Sequence, residues 1–453
     1  MRRLVVETRL RICAEAKPAW FDAHNQIAGA ARILAPNIVP GVLRIGDAGE
    51  PASSLSTTWA WADSRTLHLE IESGRTFASG RQVDAESVAE NIVRAVSVPG
   101  SVFNQSEFQA IRECIAVNER ELVVRLERPF APLPGVLANG FGMIDLRRGP
   151  PPHNVDGAGD FRVARMSERG YELVSRVERH TFVEWLFCVS AAARRRRIQS
   201  GTVDLLIGEA GAPYAREHGW STRATAGDGP IHLAFNLRRW PGTSLAFRRR
   251  AADAVDRDEI IAKGFSGRGR PGSAPYAPGT AFHLESGGGG IESGGELRNP
   301  RQLPELELAV GGDAYLPAAR AIARAIQLAL RVRVNVVSVS NPEWWPGYYM
   351  GGKWDLAVQA WTPMPDPHLV YGRRYASWGI HNAVAYSNRQ LDGAVKAAES
   401  SIDPRRRLVY YAEAEAIRAS DCPTLYLGFP DRLLSARPGV EAPMVRPSWE
   451  VEL

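Results

Sequence analysis

Short runs of apolar residues separated by polar turns occupy the first half of the chain. The segments 9–14, 67–71 and 121–126 either alternate or run apolar over a length typical of β-strands. Between them, apolar residues recur at helical spacing over 85–96, directly after Asp84, a residue type that caps helix N-termini. The pattern predicts a mixed α/β or α+β architecture.

The second half alternates strands and helices more regularly. Apolar residues predict a strand over 306–310, a helix over 316–330 and a second strand over 332–339. Strand, helix, strand is the order of a βαβ unit, which predicts parallel pairing of the two strands. A further strand is predicted over 355–360, and the apolar segment 424–429 has the character of a central strand.

Composition narrows the class of protein. The chain has 453 residues, of which 45% are hydrophobic and 23% charged, so we expect a globular protein of two or three domains. No apolar segment approaches the length of a membrane helix, so no membrane insertion is expected. The formal net charge is +5, but no motif of a nucleic-acid reader accompanies it, and we expect no nucleic-acid partner.

The cysteines and the N-terminus both bear on where the protein resides. The four cysteines lack the close spacing of a metal site, so we expect buried free thiols: Cys13, Cys114, Cys188 and Cys422. An apolar run at the start of the chain is broken at once by Glu7 and Arg9, unlike a secretory signal. Both observations predict a cytoplasmic protein. A periplasmic protein or an extracellular lipoprotein is expected only if the true start lies upstream.

Several short motifs follow one another in the order that they have in one protein family. They begin with a tryptophan, a strand and a glycine-rich helix entry and end with a Tyr-Ser-Asn turn: Trp61, 67–71, Gly74, Phe77, Gly80, Ala85, Glu86, Val88, 157–161, 201–205, 233–236, Trp361, Asp366, Pro367 and 386–388. On these residues the chain resembles the family 5 extracellular solute-binding proteins, the peptide, nickel and oligosaccharide receptors of ABC importers. Together the motifs span most of the chain, so the resemblance concerns the whole fold.

The resemblance implies a particular α/β architecture. It is the periplasmic-binding-protein-like fold, type II and cluster C-like, in which two lobes enclose an interdomain ligand cleft. We expect lobe I over 1–232, with an inserted subdomain at about 55–155. Lobe II is expected over 233–425, followed by a return of 426–453 to lobe I.

Aromatic residues are dense between 344 and 361. Trp344, Trp345 and Trp361 are predicted ligand contacts, because indole rings bind flat or cationic groups by stacking and cation–π attraction. Filling the core of lobe II is the alternative for Trp344 and Trp345. The spacing from Trp361 to His368 is most similar to the nickel-chelate branch of the family. Met364 stands where the resemblance to peptide receptors implies an aspartate that holds the ligand's amino group, and a thioether cannot form that charge-assisted bond.

Polar residues complete the predicted ligand site. Asn236 and Arg238 follow an apolar strand, and an amide and a guanidinium together can hold a carboxylate. Lys17 follows the first strand and is a further candidate contact. His368 and His381 are expected to contact the ligand. Neither is expected to hold a metal ion, because a structural role is the more common one for such histidines.

Two functions from different classes remain open. The favoured prediction is a repurposed cytosolic enzyme of antibiotic or alkaloid biosynthesis, in which Glu15 and Asp366 provide acid/base catalysis for a Pictet–Spengler-type condensation of an aromatic amine with a carbonyl compound. No cofactor is expected, because the chain has no nucleotide, dinucleotide or HExxH motif. The alternative is a substrate-binding receptor that presents a peptide, a nickel chelate or a related solute to an ABC permease. Both predictions share a small-molecule ligand.

Overall fold

The computed structural model describes residues 8–14, 24, 33–97, 105–150, 155–177, 181–188, 190–208, 211–284, 303–339 and 343–453. Contacts divide the chain into two compact units. Unit 1 contains Met1–Asp47, Pro51–Thr225 and Arg432–Leu453, and unit 2 contains Ala48–Glu50 and Ala226–Asp431. The predicted lobe bounds, 1–232, 233–425 and 426–453, and the cleft between the lobes stay predictions.

Fifteen strands of the described chain belong to unit 1. They are β1 (Thr8–Ala14), β2 (Leu43–Ile45), β3 (Pro51–Ser53), β4 (Ser56–Asp63), β5 (Thr66–Ile71), β6 (Ile111–Ala116), β7 (Glu121–Leu126), β8 (Phe161–Ser167), β9 (Gly170–Ser175), β10 (Thr181–Phe187), β11 (Leu205–Ile207), β12 (Ser221–Thr225), β19 (Arg432–Ala436), β20 (Met444–Val445) and β21 (Val451–Glu452). Seven of them form a sheet in the order β12-β19-β11-β1-β10-β9-β8, and four form a second sheet in the order β4-β5-β7-β6. The pairs β2–β3 and β20–β21 are separate ladders.

The seven-stranded sheet of unit 1 is mixed. Its central strand β1 runs parallel to β10 and β11, whereas the other neighbouring strands are antiparallel. Ile12 of β1 lies opposite Trp185 of β10 and Leu205 of β11, and all three are buried in one hydrophobic cluster. Apolar residues on neighbouring strands therefore place the core of this sheet around β1.

The helices of unit 1 are short except for the first. They are α1 (Ala85–Ser97), α2 (Gln105–Phe108), α3 (Leu133–Ala138), α4 (Ala191–Gln199) and α5 (Ala212–Glu217), with single 3-10 turns at Ala35–Asn37 and Leu146–Arg148. The predicted start of α1 is confirmed, because the Asp84 carboxylate accepts the Ser87 N–H at 2.7 Å. Val88 and Ile92 face the core, but Val93 is 58% exposed, so the buried face is narrower than the spacing predicts.

Cys13 and Cys188 form a disulfide in unit 1. Cys13 lies on β1 and Cys188 directly follows β10, and the Cys188 N–H donates to the carbonyl of Ala14 at 2.8 Å. Parallel pairing of the two strands brings the two Cα atoms to 5.9 Å although 175 residues separate them. The prediction of free thiols is therefore wrong for this pair, and Cys114 and Cys422 remain free.

Unit 2 is built on one six-stranded sheet. Its strands are β13 (Ile231–Phe235), β14 (Gly269–Pro271), β15 (Leu306–Gly311), β16 (Val334–Val339), β17 (Leu356–Ala360) and β18 (Thr424–Pro430), in the order β14-β18-β13-β17-β15-β16. Strand β15 is parallel to β16 and β17, whereas β13 is antiparallel to β17 and β18. The parallel pairing predicted for the βαβ unit is confirmed.

Six helices of the described chain belong to unit 2. They are α6 (Leu245–Asp253), α7 (Arg257–Gly264), α8 (Leu316–Leu330), α9 (His368–Val370), α10 (Arg389–Ser400) and α11 (Pro404–Asp421), with a 3-10 turn at Asp313–Tyr315 and π-helical segments at Trp344–Tyr349 and Tyr371–Tyr375. Helix α8 has the predicted bounds, and its Ile322 and Ile326 pack with Leu308 of β15 in the core of unit 2. The mixed α/β class is confirmed in both units.

Candidate functional site

Trp361 follows directly on strand β17 in unit 2. Its N–H donates to the carbonyl of Pro230 at 3.0 Å, which holds it beside the start of β13. The ring of His232 on β13 lies 4.1 Å from the Trp361 ring, and that of Tyr426 on β18 lies 5.8 Å away, measured between centroids. All three side chains are buried. Three neighbouring strands thus contribute one aromatic layer, formed by Trp361, His232 and Tyr426.

The guanidinium of Arg374 lies on the face of the Trp361 ring. Its Cζ is 3.9 Å from the centroid of Trp361 and 5.8 Å from that of Trp345. Arg374 belongs to the π-helical segment Tyr371–Tyr375, and such segments are frequent at functional sites. The contacts place a buried cation against the aromatic layer.

Arg374 differs from two other arginines of this region in having no acidic partner. Arg407 donates to both carboxylate oxygens of Asp366 at 2.8 and 2.7 Å, and Arg418 donates to both oxygens of Glu415 at 2.7 Å each. Within the described ranges no ion pair includes Arg374, and its Nε and Nη1 are buried without a hydrogen-bond partner. Burial lowers the pKa of Arg374 to about 10.

The aromatic layer contains further polar atoms that are not hydrogen-bonded. Both ring nitrogens of His232 and the Nε1 of Trp361 are buried and have no partner among the described residues. Burial, followed by the charges of Arg374 and Arg418, lowers the pKa of His232 well below its ordinary value. His232 is therefore neutral at pH 7, and Arg374 provides the positive charge beside the layer.

The predicted contacts that follow Trp361 are buried and engaged in unit 2. Asp366 forms the ion pair with Arg407, and its Oδ1 also accepts the His368 N–H at 2.9 Å. The Nδ1 of His368 lies 3.3 Å from a carboxylate oxygen of Glu399. Met364 is buried with apolar neighbours in the sequence. Asp366 thus holds the start of the short helix α9 in place, and no catalytic role for it is carried further.

Asn236 and Arg238 are held by the backbone of unit 2. The Asn236 amide donates to the carbonyls of Gly352 and Trp354 at 3.0 and 2.6 Å and is buried. Arg238 is exposed, and its guanidinium donates to the carbonyl of Ala383. Their predicted role as a carboxylate clamp stays a prediction, although the Asn236 amide has both of its described donors occupied by the chain.

The predicted aromatic contacts divide by burial. Trp344 is buried, donates its Nε1 to the side chain of Gln359 and packs 5.3 Å from the ring of Tyr349. Trp345 is half-buried, and its ring meets that of His381 edge to face at 5.3 Å. Trp345 and His381 therefore lie together beside Arg374, whereas Trp344 packs into the unit.

Two of the predicted site residues, Glu15 and Lys17, lie outside the described residues. Among the residues that the structure does describe, no group of three or more histidine, cysteine, aspartate or glutamate side chains has an arrangement that would hold a metal ion.

Sequence reasoning missed Arg374 and His232. Arg374 follows a second arginine in a largely apolar segment, and His232 stands inside an apolar strand. The signal available in the sequence was a charged or polar residue inside an apolar segment. Spacing along the chain does not tell which of several arginines lacks an acid, because the acidic partner is 41 positions away for Arg407 and three positions away for Arg418.

Solved structures of known proteins share this architecture. The chain superposes on NikA from Staphylococcus aureus, solved in complex with Ni(L-His)2, with a TM-score of 0.79 and 15% identity over 98% of each chain. It superposes on DppA from Helicobacter pylori, solved in complex with the peptide STSA, with a TM-score of 0.79 and 15% identity over 97% of each chain. At these identities the likeness shows the fold, that of the α/β periplasmic binding proteins.

Sequence comparison gives the family. The sequence model described as bacterial extracellular solute-binding proteins, family 5 Middle, matches residues 50–382. Because this is most of the chain, the chain belongs to that family. A curated relative, the dipeptide-binding protein DppE of Bacillus subtilis, is 24% identical over 215 residues, which are 43% of this chain and 39% of the relative. The match thus takes in less than half of the relative's length.

Family membership corrects the predicted function and location. The prediction of a cytosolic biosynthetic enzyme with Pictet–Spengler-type chemistry is wrong, because the chain belongs to a family of solute-binding proteins and matches a dipeptide-binding relative. The predicted cytoplasmic location is wrong as well, because the family is extracellular. The Cys13–Cys188 disulfide agrees with that location, since such bonds persist in oxidising compartments. Both predictions gave single positions more weight than the whole-chain resemblance.

The partner prediction holds in its coarser form. Proteins of this family bind small ligands and work with ABC permeases. Across the described part of the chain, no helix combines the length and the apolar composition that a bilayer-spanning segment requires.

Proposed function

We propose that this protein is the substrate-binding receptor of an ABC importer and that its solute contacts Trp361 and Trp345. Family membership supports the receptor role. The observation that carries the site is the aromatic layer of Trp361, with the Arg374 guanidinium 3.9 Å from its ring. Trp345 lies 5.8 Å from the same guanidinium and is half-buried, so part of this residue reaches solvent. Each stacking or cation–π contact contributes about 0.5 to 2 kcal/mol.

The proposed solute is a short peptide or a metal chelate of amino acids. NikA of Staphylococcus aureus was solved with Ni(L-His)2, and DppA of Helicobacter pylori with the peptide STSA. The nickel-like spacing from Trp361 to His368 and the methionine at position 364 favour a solute whose amino group is not held by an aspartate there. His381, beside Trp345, remains a proposed ligand contact.

A binding screen tests the proposal. The protein is purified, unfolded and refolded to remove any bound solute, then titrated with a panel of di- to tetrapeptides and with nickel–histidine, using calorimetry and thermal shift. We expect at least one member of the panel to bind, and Trp361→Ala to weaken its binding about tenfold, the loss of about one stacking contact. Trp361→Phe should lose less.

A matched control separates binding from general damage. Trp378 is 42% exposed in the same unit, so Trp378→Ala removes an indole without touching the aromatic layer and should leave the affinity unchanged. The proposal fails if no member of the panel binds the refolded protein, or if the Trp361 and Trp378 variants lose affinity to the same extent.

A further inference from the structure

We propose that three consecutive arginines of helix α4 form a docking surface for an anionic membrane. They are Arg195, Arg196 and Arg197, which we call the arginine surface. Helix α4 belongs to unit 1, whereas the aromatic layer belongs to unit 2. The inference therefore concerns a second surface of the molecule and goes beyond the receptor function proposed above.

Helix α4 presents most of its arginines away from the interior. Its nine residues include four arginines in succession and no acid. The first of them, Arg194, is buried, and its guanidinium donates to the carbonyl of Cys188 at 2.9 Å. Ile198, one turn further along, is buried on the same face. Because Arg194 and Ile198 fill the inner face, Arg195 and Arg196 are exposed and the third member of the surface is half-buried.

No acid of the described chain neutralises the arginine surface. Within the described ranges, none of its three guanidiniums takes part in an ion pair or donates a hydrogen bond. Exposed arginines elsewhere in unit 1 differ in this respect. The Arg9 guanidinium lies 3.0 Å from a carboxylate oxygen of Glu184, and that of Arg120 lies 2.7 Å from one of Glu70. The arginine surface thus carries positive charge that the described part of the protein does not use.

Stabilisation of the helix end does not account for these arginines. Cations near a helix C-terminus interact favourably with the last carbonyl groups. In α4 the chain supplies donors to those carbonyls itself, since the Ser200 N–H donates to that of Arg196 at 2.9 Å and the Thr202 N–H to that of Arg197 at 3.1 Å. Arg195 precedes the last turn altogether. The three guanidiniums are therefore available to a partner.

Helix α5 lies beside α4 and adds an aromatic ring to the surface. Tyr214 is half-buried, and the Cζ of Arg195 lies 5.1 Å from the centroid of its ring. The ring of His218 lies 4.2 Å from that of Tyr214. Arg216 and Glu217, both exposed on α5, offset each other in charge. The net positive charge thus comes from α4, and a tyrosine, a residue type enriched at membrane interfaces, lies next to it.

The composition of the surface favours a layer of lipid headgroups over a protein partner. Protein interfaces have an apolar centre with a polar rim. Neither α4 nor α5 carries any of the large apolar side chains that are exposed among the described residues. A charged surface without such a centre matches a membrane of anionic phospholipids, whose phosphate oxygens accept charge-assisted hydrogen bonds from guanidinium groups. Such a membrane is within reach of a receptor that works with a permease.

Vesicle flotation tests the docking surface. The full chain is mixed, at about 0.1 M salt, with vesicles of phosphatidylcholine alone or with vesicles of phosphatidylcholine and phosphatidylglycerol in equal parts. We expect wild type to float with the anionic vesicles and not with the neutral ones, and salt at about 1 M to release it. The double variant Arg195→Gln/Arg196→Gln should bind the anionic vesicles about 30-fold less tightly, since each arginine near such a surface contributes about fivefold.

A matched control separates the position of the charge from its amount. Arg120→Gln/Arg125→Gln removes the same charge from two exposed arginines of unit 1. At about 0.1 M salt the Debye length is about 10 Å, so this control should stay within about threefold of wild type. Both double variants should unfold at the midpoint of wild type in circular dichroism, because the side chains that they change are exposed.

Three results would overturn the docking surface. The first is flotation of wild type that does not depend on phosphatidylglycerol, and the second is an equal loss of binding in the two double variants. The third is binding of poly-glutamate, with the same dependence on Arg195 and Arg196, by a protein that ignores anionic vesicles, because the partner would then be an acidic protein. Failure of the receptor function is distinguishable, since it would appear in the solute titrations while flotation remained.

Discussion

At the scale of single residues, the aromatic layer combines a large apolar surface with polar atoms that the described chain leaves without partners. His232 is the clearest example, because its ring packs against those of Trp361 and Tyr426 and both of its nitrogens are buried without a partner among the described residues. A buried polar atom without a hydrogen bond lowers stability, so a histidine at this position needs a reason other than packing. Binding of a solute is the reason that we propose.

The buried His232 predicts a pH dependence of stability. Burial, followed by the charges of Arg374 and Arg418, lowers its pKa well below the ordinary 6.5, so its contribution is complete above about pH 6.5. As the pH falls below that value the unfolded chain takes up a proton that the folded chain refuses, and stability is lost. We expect the free energy of unfolding to fall between pH 7 and pH 5.5 by about 1 kcal/mol more in wild type than in His232→Phe.

Urea denaturation followed by circular dichroism at the two pH values measures this difference. His218→Phe, which changes an exposed histidine, should keep the slope of wild type. Equal slopes for wild type and His232→Phe would contradict the prediction.

At the scale of elements, one carboxylate joins three strands of the unit 1 sheet. Asp204 directly precedes β11 and accepts the N–H and the guanidinium of Arg11 on β1, each at 2.9 Å. Arg437, directly after β19, lies 2.8 Å from the same carboxylate. The motif that contains Asp204 was visible in the sequence, but its partners are 193 and 233 positions away, so its role was not.

Removing this charge should weaken the sheet. Burial raises the pKa of Asp204, but the hydrogen bonds and charge of Arg11, with that of Arg437, outweigh it and lower the pKa overall. The stabilisation is therefore present at pH 7 and is lost as the pH falls below about 4. We expect Asp204→Asn to reduce the free energy of unfolding at pH 7 by about 2 kcal/mol.

Guanidinium-chloride titration measures that loss. The control is Glu172→Gln, which breaks a pair with Arg165 in which both side chains are at least half exposed, and it should change stability by less than about 0.5 kcal/mol. An Asp204→Asn loss as small as that of the control would show that the junction contributes nothing.

At the scale of the whole molecule, the two units differ in how the chain builds them. Unit 2 takes its entire six-stranded sheet and its main core from one continuous stretch within 226–431. Unit 1 needs the C-terminal stretch as well, because β19 lies between β11 and β12. The sheet of unit 1 is therefore complete only when a strand that follows unit 2 in the sequence has joined it.

A fragment experiment follows from this difference. The fragment 226–431 should fold alone, with a cooperative thermal transition in circular dichroism, because its core and sheet are internal. The shorter fragment 226–423 lacks β18, which lies between β14 and β13, and should show no such transition. A non-cooperative 226–431 fragment would mean that unit 2 depends on the rest of the chain.

Local periodicity was sufficient for helix α1 with its Asp84 cap and for helix α8, because each depends on neighbours along the chain. The strand–helix–strand order was sufficient for the parallel β15–β16 pair. The ordered motifs were sufficient for the family. The single positions that favoured an enzyme did not predict the function. The methionine at position 364, in place of the aspartate of peptide receptors, does not indicate which other side chains of unit 2 can bind a solute.

Tertiary structure alone decided which charged and sulfur-bearing side chains have partners. Arg374, Arg407 and Arg418 look alike in the sequence, yet two of them have acids and Arg374 has none among the described residues. Cys13 and Cys188 look equally isolated until parallel strands bring them together. The reason is physical: the Asp366–Arg407 pair and the disulfide join residues 41 and 175 positions apart, and such distances in space are set only when the chain folds.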